Sequence, residues 1–193
     1  SYQKIFRAVE YKLHRFEKIY WSLYDYQPLI PILSKKHFDL IYANDIETLP
    51  FALKIAKNAP NQPKVLWDAH EYTPRHFEEQ FIWRFFFQPY NQYLCKTYLQ
   101  RCHQFITVTQ PIAREYKKNY GIDPVVITNA TEYTEASPVP VEKDKIRLIS
   151  HGIALPHRQW ESMIHLAQYL DSRFQLDLML VPLDKSAAHT FTS

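Results

Sequence analysis

Four short apolar segments, separated by helical patterns, constrain the fold of this sequence most. They span residues 38–43, 64–67, 104–109 and 125–128, and their length and apolar content are typical of buried strands. Helical spacing begins near Thr48 after the first segment, and a second helix is expected from Pro111 to Tyr120 with Gly121 as its C-terminal cap. Strands that alternate with helices pair in parallel through right-handed crossovers. The sequence therefore predicts an α/β fold, a Rossmann-like parallel sheet flanked by helices.

Polar side chains follow three of the four predicted strands. Asn44 and Asp45 come after the first strand, His70 and Glu71 after the second, and Asn129 after the fourth. In open parallel sheets, ligands bind in the crevice outside the carboxyl ends of the strands. These five residues are therefore candidates for one binding site.

The sequence makes two further predictions about helices, one for the position of Pro50 and one for the amino-terminal segment. Pro50 fits the first turn of the helix that begins near Thr48, because no backbone donor is needed there. The amino-terminal segment predicts one continuous helix that covers the sheet, and a coiled-coil seam or a membrane-surface helix are the alternatives. Its apolar stripe consists of Phe6, Val9, Leu13, Phe16, Tyr20 and Leu23.

The segment after the fourth strand divides the chain. We expect an amino-terminal domain over residues 1–134, a linker over 135–144 with Pro138 and Pro140, and a second domain over 145–193. The second part reads as a strand to Ser150, a turn at His151 and Gly152, a helix over 160–170 and a strand over 176–181. One such unit is too small to stand alone, so we expect a truncated second Rossmann-like domain. The amino-terminal helix has no strand before it, so we also expect a first domain that lacks its first strand.

Glycine is scarce, and this excludes whole classes of phosphate site. Only Gly121 and Gly152 occur among 193 residues, so neither a Walker loop nor a dinucleotide fingerprint can be present. Any phosphate must be held by helix N-termini and basic side chains. The segment from Gly152 to Arg158 is a candidate diphosphate site, and the alternative is a plain turn glycine with a surface arginine.

Composition limits the partners and the compartment. The formal net charge is +3 and the basic residues are scattered, which argues against a nucleic-acid partner. No run of apolar residues reaches transmembrane length, and two cysteines in the whole chain favour a reducing compartment such as the cytoplasm.

The ordered motifs resemble those of GT-B glycosyltransferases of the family 4 type. The resemblance rests on residues 41–50, 68–71, 106–109, 127–130 and 152–158. It implies transfer of a sugar from a nucleotide-sugar donor, held by the carboxy-terminal domain, to a glycan or lipid-linked acceptor. The transfer would proceed with retention and without metal or other cofactor. A role in polysaccharide biosynthesis would follow, in the cytoplasm or peripherally at the inner membrane face.

The resemblance also assigns roles to individual residues. His70 matches the family histidine close to the transferred sugar and is the candidate catalytic residue. Asn44, Asp45, Glu71 and Asn129 would line the floor of the cleft and bind sugar or acceptor hydroxyls. Arg158, with Gly152, would meet the donor diphosphate through a charge-assisted contact.

This sequence departs from the family pattern at several positions. Ile153, Ala154 and Leu155 stand where many relatives carry another arginine, and Ala130 replaces a glycine. The sequence does not extend to the helix that carries the family's paired glutamates. We therefore expect the chain by itself to be inactive.

Two alternative functions remain open from the sequence. The first is a metal-dependent hydrolase with Asp68, His70, Glu71 and His76 as ligands. The second is a non-catalytic binding domain of the same fold.

Residues 75–79 predict a solvated helix start without chemistry. The aromatic run from Phe81 to Tyr98 predicts a packed helix surface, with a lipid-linked acceptor or a membrane contact as the alternatives.

Overall fold

The computed structural model describes residues 9–155 and 158–182. The chain divides into two compact units with the boundary between Thr131 and Glu132. Phe6, on the predicted amino-terminal stripe, lies outside the described residues.

The first unit is built on a four-stranded parallel sheet. Its strands are β1 (Leu40–Asn44), β2 (Lys64–Ala69), β3 (Gln104–Thr107) and β4 (Val125–Val126), in the order β1-β2-β3-β4. The register pairs Asn44 with Asp68 and Ala69 with Thr107, so the carboxyl ends of the first three strands meet at one edge. The predicted α/β class with a parallel sheet flanked by helices is confirmed.

Helices connect these strands and cover the sheet. α1 (Phe16–Leu23) and α2 (Leu29–Leu33) precede β1, α3 (Asp45–Asn58) follows β1, α4 (Phe81–Tyr98) precedes β3 and α5 (Gln110–Tyr120) follows it. The core packs Trp67 of β2 between helices, with Tyr116 of α5 edge-on at 5.2 Å between ring centroids. Ile46, Leu49 and Leu94 are fully buried around it. α5 ends as predicted at Gly121, whose φ of 68° is left-handed and favours glycine.

The prediction of one continuous amino-terminal helix is wrong. The chain is helical over residues 9–12, turns at His14 with φ 52°, and becomes helical again at Phe16. Phe16 and Tyr20 are buried, whereas Val9 and Leu13 are exposed, because the break rotates the two helical pieces relative to each other. The Tyr20 hydroxyl donates to the Glu47 carbonyl, which ties α1 to α3.

β1 and the start of α3 also differ from expectation. Strand β1 was predicted to be buried, but Leu40 and Tyr42 are about half exposed because β1 is an edge strand of the described sheet. α3 begins at Asp45, which has a φ of 61°, and not near Thr48. Pro50 therefore lies in the second turn, and its placement in the first turn was wrong.

The second unit contains a parallel pair of strands and one helix. β5 (Ile146–Ile153) pairs with β6 (Phe174–Val181), and α6 (Trp160–Ala167) lies between them in sequence. His151 and Gly152 were predicted to form a turn, but they lie within β5 because they pair with Met179 and Leu180. α6 ends three residues earlier than predicted.

No helix in the described part of the chain combines the length and apolar character needed to cross a bilayer.

Candidate functional site

The carboxyl end of the first sheet forms a small polar cavity of about 210 Å³. The first turn of α3 supplies one wall, and the segment that follows β2 supplies the other. The lining residues are Asp45, Glu47, His70, Glu71, Thr73 and His76. The sequence predicted three of these six as site residues.

Asp68 and His70 form the best-defined contact of the site. The Asp68 carboxylate is buried, and its Oδ2 atom lies 3.1 Å from Nε2 of His70. Because an ionised carboxylate only accepts hydrogen bonds, Nε2 carries the hydrogen and Nδ1 of the neutral ring is left with a lone pair. The His70 side chain is partly exposed, so this lone pair is available to a ligand.

Tyr42 of β1 holds Asp68 from the neighbouring strand. Its hydroxyl donates to the same Oδ2 atom. This hydrogen bond to Asp68, together with desolvation, raises the pKa of Tyr42 to about 12. Tyr42 therefore stays protonated and remains a donor at neutral pH. Asp68 thus accepts two hydrogen bonds that fix its carboxylate before any ligand arrives.

A second histidine and carboxylate pair closes the other side of the cavity. His76 pairs through Nε2 with the Glu71 carboxylate. The His76 ring also stacks on Phe77, with centroids 4.0 Å apart. Residues 75–79 were expected to form a solvated helix start without chemistry, but α4 begins only at Phe81, and His76 folds back on Glu71.

Tyr116 of α5 ties this segment to the core. Its buried hydroxyl donates to the Glu71 carbonyl at 2.9 Å and accepts from the Thr73 backbone N–H at 3.1 Å. A side chain from a different helix therefore positions the residues between His70 and His76.

Glu47 is a cavity residue that the sequence analysis missed. Desolvation, with the nearby Asp45 charge, raises the pKa of its carboxyl group. The missing signal was the true start of α3. The sequence predicts this helix only from Thr48, whereas α3 begins at Asp45, and the position of Glu47 in its first turn brings the side chain to the cavity.

The remaining predicted residues of the first unit lie less centrally. Asn44 is exposed at the end of β1 and caps α3 without a side-chain hydrogen bond, and it does not line the cavity. Asn129 is exposed, three residues beyond the end of β4, and does not line it either. Asp45, His70 and Glu71 are brought together as predicted.

Gly152 and Arg158 are neighbours in the second unit. A Cβ atom on Gly152 would lie 2.9 Å from Nη1 of Arg158 and 3.6 Å from the Trp160 ring. The absence of a side chain at Gly152, whose φ is 147°, leaves room for the guanidinium group. Arg158 is exposed and forms no ion pair with another described residue, so it is available to an anion.

The described residues do not form the metal site that the hydrolase alternative requires. Among them, no group of three or more histidine, cysteine, aspartate or glutamate side chains is placed to hold a metal ion. His70 and His76 each direct Nε2 to a different carboxylate, Asp68 and Glu71 respectively. The two pairs therefore do not converge on one point.

The fold and the position of the cavity define a class of protein. The structure matches the crystal structure of TarM with a TM-score of 0.51 at 10% sequence identity, over 78% of this chain and 34% of the TarM chain. The chain thus spans about a third of the length of TarM. The parallel sheets and their flanking helices are of the Rossmann-like GT-B type.

The family follows from the sequence itself. The profile of Glycosyltransferase Family 4 matches residues 2–135, which is more than half of the chain. The chain belongs to this family, as the resemblance of its motifs indicated. No curated protein matches the sequence.

Proposed function

We propose that this protein transfers a sugar from a nucleotide-sugar donor to a hydroxyl group of a glycan or lipid-linked acceptor. Family membership supports glycosyl transfer in general. The observation that carries the proposal is the contact between Asp68 and His70 at the carboxyl edge of the sheet. A buried carboxylate that fixes an accessible imidazole is typical of sites that handle a hydroxyl proton.

His70 is the proposed catalytic residue. With Nε2 held by Asp68, its Nδ1 atom accepts a hydrogen bond from a sugar or acceptor hydroxyl and orients the oxygen. Asp45 and Glu71 line the same cavity and bind further hydroxyl groups. Asn44 and Asn129 would contribute at its margin. The transfer is proposed to be retaining and to need no metal.

The donor diphosphate is assigned to the second unit. Arg158 offers a planar guanidinium group beside the side-chain-free Gly152. A bidentate contact with a phosphate would stabilise the negative charge that develops on the leaving nucleotide.

The exposed surface of α4 favours a lipid-linked acceptor. Phe81, Ile82 and Phe85 are 71%, 69% and 55% exposed, on the side of α4 opposite to the buried Tyr90 and Leu94. The predicted packed surface is thus found only in the carboxy-terminal half of this helix. Apolar side chains on a solvent-facing helix surface are costly unless another apolar surface covers them.

The exposed apolar surface of α4 begins next to the polar cavity. It carries no acidic side chain. Phe77, which precedes α4, stacks on His76 of the cavity. α4 contains Arg84 and Lys96 and no carboxylate. We propose that the lipid part of an acceptor lies along α4 and that the protein contacts the cytoplasmic face of an anionic membrane there.

A non-catalytic binding domain is the competing function. The loop residues Ile153, Ala154 and Leu155 lack the additional arginine of many relatives, which favours weaker donor binding. A protein of this kind would bind a nucleotide sugar without turning it over.

Calorimetric titration of uridine and guanosine diphosphate sugars into the full-length protein tests the proposal. We expect binding that excess chelator does not change and that Arg158→Ala weakens. Arg147→Ala is the matched control, since Arg147 is an exposed arginine of β5. Binding without sugar transfer in a product assay would favour the binding domain. If no nucleotide sugar binds at millimolar concentration and a divalent ion binds through His70, the proposal is wrong and the hydrolase takes its place.

A further inference from the structure

A second cavity, of about 450 Å³, opens at the end of the first sheet opposite to the candidate site. It lies beside Val65, near the start of β2, and beside His103, which directly precedes β3. The candidate site follows Ala69, at the other end of β2. The two cavities share no lining residue. The volume of the second is within the range of small-molecule sites.

Three cationic side chains line this second cavity. Lys54 and Lys57 lie one turn apart on α3, and Arg101 belongs to the 3₁₀ turn that follows α4. None of the three forms an ion pair with another residue of the described part of the chain. The Arg101 guanidinium carbon lies 5.1 Å from the centroid of the Tyr98 ring, and its N–H groups donate to no carboxylate among the described residues.

His103 adds a fourth donor to the lining. Its Nδ1 atom accepts a hydrogen bond from the Val65 backbone N–H at 3.1 Å. The neutral ring must therefore carry its hydrogen on Nε2. This N–H group has no partner among the described residues and can donate to a ligand.

The carboxylate in the lining, Glu17, already accepts three hydrogen bonds. It accepts hydrogen bonds from Trp21 at 2.8 Å, from Tyr98 at 2.5 Å and from Tyr93 at 3.0 Å. Partial burial opposes its ionisation, but these hydrogen bonds and the Arg101 charge together lower the pKa of Glu17. The carboxylate thus stays charged, and its neighbours occupy most of its acceptor sites. Three cations against one carboxylate leave a formal surplus of two positive charges.

We propose that this cavity binds a phosphorylated small molecule, with Lys54, Lys57 and Arg101 around the phosphate. A phosphate dianion matches the surplus charge, and its oxygens accept from the ammonium, guanidinium and imidazole groups. The Trp21 ring and Leu53 give the cavity apolar surface for the carbon part of the ligand. The site is independent of the proposed transfer reaction, because it lies at the other end of the strands.

The test is a calorimetric titration of glucose 6-phosphate into the full-length protein, with glucose as the uncharged comparison. We expect glucose 6-phosphate to bind, glucose not to bind, and inorganic phosphate to compete. Arg101→Gln and the double variant Lys54→Gln, Lys57→Gln should each weaken binding roughly tenfold or more, as expected for lost charge-assisted hydrogen bonds. The substituted side chains are exposed, so the fold should be retained, which thermal unfolding checks.

Two control variants separate this site from general attraction and from the candidate site. Lys118→Gln removes the same charge from an exposed position on α5 and should leave the affinity unchanged within about twofold. His70→Ala should also leave it unchanged. Failure of glucose 6-phosphate to bind at about 10 mM overturns the proposal. Equal weakening by Lys118→Gln, or weakening by His70→Ala in place of Arg101→Gln, overturns it as well.

Discussion

The Nε2 atom of His70 lies 3.1 Å from Oδ2 of Asp68, two residues earlier in the chain. Asp68 lies in β2 and His70 lies one residue beyond its end, and both side chains turn to the same side, as alternation along an extended chain predicts for residues i and i+2. Asp68 is 7% exposed, whereas the His70 ring reaches the cavity. The buried carboxylate therefore sets the orientation of the accessible imidazole before a ligand binds.

Asp68→Asn should lower the turnover rate roughly 10²-fold with little change in KM. The amide can donate to Nε2, so the histidine would change tautomer and lose the acceptor at Nδ1. Steady-state sugar transfer by the full-length protein measures this. Asp39→Asn removes a fully exposed carboxylate outside the site and should not change the rate. A normal rate in Asp68→Asn would show that His70 needs no fixed tautomer.

Tyr116→Phe should destabilise the protein by about 2 kcal/mol. The substitution leaves the Glu71 carbonyl and the Thr73 N–H without the hydroxyl that joins them beside the core. Thermal unfolding should show a transition temperature lower by several degrees. Tyr133→Phe, at an exposed position, is the control and should have no effect. An unchanged transition in Tyr116→Phe would mean that water replaces the hydroxyl without loss.

Glu47→Gln should stabilise the protein at neutral pH. Desolvation raises the pKa of Glu47 in the folded state, so the folded protein binds this proton more tightly than the unfolded chain. Stability from this group is then present at low pH and is lost as the pH rises from the unfolded pKa through the folded pKa. Glutamine, being neutral, avoids that loss. The free energy of unfolding, measured from pH 4 to 8, should be higher for the variant than for the wild type at pH 7. This difference should become smaller towards pH 4. A variant less stable than the wild type at pH 7 contradicts the argument.

Much of this site could be predicted from the sequence, because strand ends are marked locally. The change from apolar to ionisable residues after Trp67 placed His70 and Glu71 correctly at the end of β2. The family and the fold class followed from several such ends in the right order and are confirmed. The roles of the individual residues stay predictions.

Two of the errors come from backbone geometry that the side-chain pattern does not reveal. His14 and Asp45 adopt positive φ. Histidine and aspartate are enriched at positive φ, but most of them have negative φ, so the residue type alone does not locate such a position. The first broke the amino-terminal helix and the second started α3 early, which hid Glu47. The pairing of His76 with Glu71 depends on Tyr116, a residue forty positions further on, and no local rule finds it.

Gly152→Ala should weaken nucleoside diphosphate binding roughly tenfold. The new Cβ atom would lie 2.9 Å from Nη1 of Arg158 and would displace the guanidinium group. Calorimetry with uridine and guanosine diphosphates measures the change. Gly121→Ala is the matched control, since its backbone is also at positive φ but its nearest side-chain atom is 3.8 Å away on Gln100. The control should cost about 1–2 kcal/mol of stability and leave affinity intact. An equal loss of nucleoside diphosphate affinity in both variants would show that backbone strain, and not displacement of Arg158, causes the effect.

Replacement of Phe81, Ile82 and Phe85 by serine should abolish binding to anionic vesicles. These side chains project from the solvent side of α4. Their burial at a bilayer surface should contribute most of the binding free energy. Arg84 and Lys96 add attraction to anionic lipid. Co-sedimentation with phosphatidylglycerol vesicles should show binding by the wild type and a loss of roughly tenfold or more in the triple variant. Phosphatidylcholine vesicles should bind less in both cases.

The matched control replaces three exposed apolar residues elsewhere, Tyr133, Val139 and Val141, by serine. They lie in the extended segment after the first unit, far in sequence from α4, and their loss should leave vesicle binding unchanged. Because serine at exposed helix positions disturbs no core contact, the triple variant of α4 should unfold at nearly the wild-type temperature. If the wild type ignores both kinds of vesicle, or if both triple variants lose binding alike, the apolar face of α4 is not a membrane surface and a protein partner or another part of the chain covers it instead.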